Sequence, residues 1–62
     1  MTGSEVRRIR RALGLSQTAF GELVGVTFVT VSRWETGTNE VPEPTGRLIR
    51  MLAKSKTARK ER

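Results

Sequence analysis

The apolar positions of this chain fall into four short helical stripes separated by turn residues. Val6, Ile9 and Leu13 recur at helical spacing between Thr2-x-x-Glu5, a capping-box pattern, and Gly14, a natural stop. A first helix is therefore expected over about residues 3–13. Ser16 is a good N-cap, and Phe20, Leu23 and Val24 form the next stripe before Gly25 breaks it. Val26 sits in that break, Thr27 is a second N-cap, and a third helix is expected from Phe28 to Glu35 or Thr36, ahead of Gly37. The turn between Val24 and Thr27 is so tight that the two helices must cross steeply. Residues 37–43 read as a loop with Asn39 and Pro42 as turn residues, and Pro44 suits the first turn of a fourth helix. Leu48, Ile49 and Leu52 give that helix its stripe, which ends near Ala53 or Lys54. The remainder, "KSKTARKER", is polar and basic and is expected to fray. The pattern thus gives an all-α fold of four helices around one core, a domain at 1–54 and a flexible basic tail at 55–62.

Composition narrows the function classes. A chain of 62 residues is expected to form a single domain, burying only about 60% of its unfolded surface. It has no cysteine and no histidine, which removes disulfides, thiolate metal sites, cysteine nucleophiles and imidazole acid-base chemistry. Glu22, Glu40 and Glu43 fall on exposed helix or loop positions with nothing to tune them. No enzyme, cofactor or metal is expected. The basic start runs into no apolar signal region, and no segment approaches the roughly 18 consecutive apolar residues of a membrane span, so a cytoplasmic protein is expected. Twelve Lys and Arg against six Asp and Glu give a net charge of +6. That excess points to a polyanion, with nucleic acid first, although an anionic lipid or an acidic protein would also suit it.

The arrangement from Gln17 to Thr36 is more specific than the charge. Gly21 lies one helical turn before Gly25, where the lack of a side chain lets the following helix cross closely. In a free helix that glycine costs about 1 kcal/mol relative to alanine, so it calls for a packing reason. On a helical wheel, Val31 and Trp34 define the inward direction of the third helix. Val29, Ser32, Arg33 and Thr36 fall opposite them, with Phe28 and Thr30 on the flanks. Two apolar residues, Phe28 and Val29, therefore open this helix away from the core. The Phe28 ring has an alternative, folding back over Val24 or Trp34, and both residues would also suit a protein interface.

The stretch "LGLSQTAFGELVGVTFVTVSRWETG" resembles the helix-turn-helix repressors of the phage lambda repressor, Cro and XRE type, and with the flanking helices the resemblance covers roughly residues 2–53. It implies a compact lambda-repressor-like domain of four helices, or five where the family's last helix is present. It also implies that the third helix enters the major groove of double-stranded DNA. Phe28 and Val29 would then meet thymine methyl groups, Arg33 a guanine, and Ser32 a base edge with little selectivity. Gln17 and Thr27, at helix N-termini, match the family's phosphate contacts. Thr30, Thr36, Thr38 and Asn39 are further candidates for phosphate, and capping alone would also account for the threonines. Arg10 and Glu35 match a pair that the family places across the core edge, which implies a partly buried salt bridge.

Two departures stand out. The family commonly has alanine where this chain has Gly21, which is expected to weaken the second helix slightly without disturbing its packing. Many members continue into a fifth helix where this sequence has its basic tail. The resemblance implies a sequence-specific transcriptional regulator, a repressor acting as a homodimer on a palindromic operator. The alternatives are an antitoxin-type protein that holds a toxin partner while repressing its own operon, and a nonspecific nucleic-acid binder driven by the tail and by Arg7, Arg8, Arg10 and Arg11 of the first helix. For Arg7 and Arg8 a simply solvated face is the plainer reading.

Overall fold

In the computed structural model, the backbone of residues 1–60 and the side chains of residues 1–54 are described. The chain forms α1 (Gly3–Ala12), α2 (Gln17–Val24), α3 (Phe28–Thr36) and α4 (Glu43–Lys60), with no strand among the described residues. The fold is all-α, as the periodicity predicts. At the start of α1 the Thr2 hydroxyl accepts from Glu5 N–H at 3.2 Å while the Glu5 carboxylate accepts from Thr2 N–H at 3.0 Å, completing the capping box. Ser16 caps α2 by accepting from Ala19 N–H at 3.1 Å. Both α2 and α3 end on glycines in the left-handed region, Gly25 with φ 87° and Gly37 with φ 83°.

Each helix supplies the core: Val6 from α1, Phe20 from α2, Val31 and Trp34 from α3, and Ile49 from α4. The turns contribute too, since Leu15, Val26 and Val41 pack against this cluster from the three connections. Burying side chains of this size stabilises by about 1.5–3 kcal/mol each, so a few of them carry much of so small a fold. Two residues expected on the inner stripes lie further out. Leu23 is 51% exposed and Leu48 38%, whereas Phe20 and Ile49 of the same stripes are fully buried.

Two glycines set how closely the helices meet. A Cβ on Gly21 would lie 2.5 Å from the Val26 carbonyl oxygen and 3.2 Å from the Thr27 carbonyl carbon. The close crossing expected at Gly21 is therefore present: the chain entering α3 lies directly on the α2 backbone. Gly3 is the counterpart at the other end. A Cβ there would lie 2.5 Å from the Trp34 carbonyl oxygen and 2.6 Å from that of Glu35, so α1 begins against the last turn of α3.

α4 begins one residue before Pro44 and continues past Lys54 to Lys60. The apolar stripe stops near Lys54, but the following Lys, Ala and Arg residues favour helix and no Gly or Pro interrupts them. The expectation of a flexible basic tail also concerns side chains from residue 55 onward and residues 61–62, which lie outside the described residues. No helix among the described residues is long and apolar enough to cross a membrane.

Candidate functional site

α3 presents a mixed surface opposite its buried Val31 and Trp34. Phe28 is 54% exposed and Val29 42%. More than half of the Phe28 surface is therefore open to solvent. Arg33 and Thr36 are exposed as well, while Thr30 and Ser32 are half-buried. The N-terminus of this helix differs from those of α1 and α2. Thr27 has the extended backbone of an N-cap, φ −84° and ψ 166°, yet its side chain makes no capping hydrogen bond. The hydroxyl is thus not spent on capping, and no cap side chain covers the first-turn N–H groups of α3, at its positive end. Two apolar side chains flank this open terminus.

The C-terminal end of α3 is tied into itself. The Arg33 carbonyl accepts from Thr38 N–H at 2.9 Å and Asn39 N–H at 3.2 Å, and the Thr36 hydroxyl donates to it at 3.3 Å. The Thr36 and Thr38 hydroxyls lie 3.0 Å apart. Thr36, Thr38 and Asn39 therefore gather at one end of the helix, with Thr36 about 13.5 Å of helical rise from Thr27.

Beneath α3 a single carboxylate ties three helices together. The Glu35 side chain is 1% exposed, and Arg10 donates to it through Nε to Oε2 at 2.6 Å and Nη2 to Oε1 at 3.4 Å. Arg10 also donates Nη1 to the Leu15 carbonyl at 2.9 Å, fixing the α1–α2 turn. Gln17 Nε2 donates to Glu35 Oε1 at 3.2 Å, and Arg7 Nε reaches the same oxygen at 3.5 Å. Burial pushes the Glu35 pKa up, but hydrogen bonds from Arg10 and Gln17, the Arg10 charge and the Arg7 contact outweigh it, and the net shift is downward. No buried side-chain nitrogen or oxygen among the described residues lacks a partner.

This network changes the picture of Gln17. Its amide turns inward onto Glu35, leaving one amide proton, its acceptor oxygen and the helix N–H groups for any outside contact. Arg7, Arg8 and Arg11 line a basic cleft with Ser4, and Glu35 lies at its floor. Periodicity did not single out the roles of Gly3, or of Gln17 and Arg7 as Glu35 partners. A glycine one residue after a cap is ordinary in sequence, and a three-helix junction has no linear spacing to betray it.

Comparison with known proteins agrees with this architecture. A family profile described as helix-turn-helix matches residues 6–55. Over 39 residues the chain is 46% identical to uncharacterised HTH-type transcriptional regulators of Sinorhizobium medicae, Rhizobium meliloti and Sinorhizobium fredii. That alignment covers 63% of this chain and 27–28% of those relatives, so the chain spans under a third of their length. No solved structure gives a significant match.

Proposed function

Because the chain belongs to the helix-turn-helix family, of the XRE and lambda-repressor-like type, we propose that it is a sequence-specific DNA-binding regulator of transcription with α3 as its reading helix. The observation that carries this reading is the open end of α3, where Phe28 and Val29 stand exposed beside an uncapped N-terminus. Apolar side chains there suit thymine methyl groups, the one apolar feature of base edges in the major groove. The free N–H groups and the Thr27 hydroxyl suit a phosphate. Arg33, further along the same exposed face, reads a guanine through O6 and N7, and Ser32 adds an unselective contact.

Phosphate contacts from Gln17, Thr30, Thr36, Thr38 and Asn39 flank α3, and the +6 net charge favours the encounter. A domain of this size offers limited surface to DNA, so it acts as a homodimer on a palindrome with half-sites about one helical turn apart. Repression by occluding a promoter, in the cytoplasm, is the mode that follows.

Selection of bound duplexes from a random library at low and moderate salt tests the reading. A palindrome with thymine and guanine steps is expected. Recovery of no motif, with binding that vanishes as salt rises, would replace it with nonspecific binding. Arg33→Ala should lose about 1–3 kcal/mol of discrimination at one guanine; equal losses on specific and random duplexes would reassign Arg33 to phosphate.

A further inference from the structure

The outer face of α4 carries a pattern that the DNA reading does not use. Arg47, Arg50, Met51 and Lys54 recur at i, i+3, i+4 and i+7, which places them on one side of the helix. With Ile9 of α1 and Ala53 they line one shallow groove. Its floor is apolar, made of Ile9, Ala53 and Met51, the last of them 65% exposed. The stems of the arginines and the lysine extend that apolar surface while their charged ends rim it. Among the described side chains of α4 the only acid is Glu43, 3.7 Å from Arg47 in a pair exposed on both sides. Across the groove Glu5 lies in the field of Arg50, but its carboxylate is engaged by the Thr2 backbone N–H. The groove is therefore apolar within and positive at its edge.

We infer that this groove docks an acidic amphipathic helix of another protein, whose apolar stripe covers Met51 and Ile9 and whose Glu or Asp flanks meet Arg47, Arg50 and Lys54. A second copy of this chain fits poorly, since two such faces would set arginines and lysines against one another on a molecule that is already +6. DNA fits the rim but not the floor, because phosphates give an exposed methionine nothing to bury against. α3 and α4 each pack on α1 and α2, and no α3 residue is among the described residues that line the groove. The inference does not depend on what α3 reads.

The test titrates the full chain into a labelled synthetic helix peptide with leucines at i, i+3, i+4 and i+7 and glutamates on both flanks, and into a twin with lysine for every glutamate. Fluorescence anisotropy should show binding of the glutamate peptide and none of the twin. Arg47→Glu with Lys54→Glu should reverse that preference. Met51→Ser should weaken the glutamate peptide about tenfold or more while leaving the melting curve and duplex binding unchanged. Equal binding of both peptides, or indifference to Met51→Ser, overturns the proposal. Displacement of the peptide by a random duplex that Met51→Ser also releases would give the groove to DNA. Self-association by sedimentation that Met51→Ser abolishes would give it to a second copy, and either result overturns the proposal too.

Discussion

Glu35 is the residue on which the geometry of α3 depends most. Its carboxylate is buried and holds its charge only because Arg10, Gln17 and Arg7 donate to it. Its pKa lies below the ordinary 4.5, so ionised Glu35 contributes stability that is complete above that value and lost as pH falls through the lowered folded-state value. Melting temperatures measured from neutral pH down through 4.5 should therefore fall for the native chain. Glu35→Gln should be less stable at neutral pH and show a flatter acid slope, with a residue of slope left because Glu5 is also held low by the Thr2 N–H. Parallel acid slopes for the two proteins would show that Glu35 is not the group being titrated.

At this scale the sequence was legible where a side chain repeats with the helix and opaque where contact crosses between helices. The wheel puts Val31 and Trp34 inside and Val29 and Arg33 outside, and they lie so. The apolar spacing of α2 also puts Leu23 inside, yet of that stripe Phe20 is fully buried and Leu23 is 51% exposed. The sequence marks Gly21 as a close-crossing residue, yet how close the Val26 carbonyl comes is a three-dimensional fact. The pairing of Arg10 with Glu35 was suggested by family resemblance and could not have come from spacing, since the two lie on different helices.

Among the elements, α3 is the one whose ends are treated differently from one another. Its C-terminus closes on Gly37 and a set of bonds to the Arg33 carbonyl, whereas its N-terminus has a cap residue that does not cap. Aspartate at position 27 should accept from a first-turn N–H, as Ser16 does in α2, and stabilise the fold by about 0.5–1 kcal/mol. On DNA the same change should weaken specific and random duplexes alike, because a carboxylate would stand where a phosphate is proposed. Thr27→Asp that leaves both denaturant unfolding and duplex affinity unaltered would count against the open N-terminus. The boundaries of α1, α2 and α3 were readable to within a residue because glycines and caps punctuate them. The end of α4 is not, since an apolar stripe that stops near Lys54 predicts an earlier end while propensity carries the backbone on to Lys60.

For the molecule as a whole, polar chemistry and close packing converge on the same helix. The Glu35 carboxylate binds α3 to α1 and α2, Gly21 seats the start of α3 on α2, and Gly3 seats α1 on the end of α3. No helix of the first three can leave without stranding a buried charge or opening a backbone contact. Slow backbone amides in α1, α2 and α3 should therefore exchange with deuterium at one shared free energy equal to that of complete unfolding, with no cheaper opening that frees α3 alone. Native-state exchange at rising denaturant would reveal a separate, lower isotherm for α3 if this were wrong. A protein built this way has no partly melted form in which α3 is loose: it presents α3 in one orientation or has no fold to present.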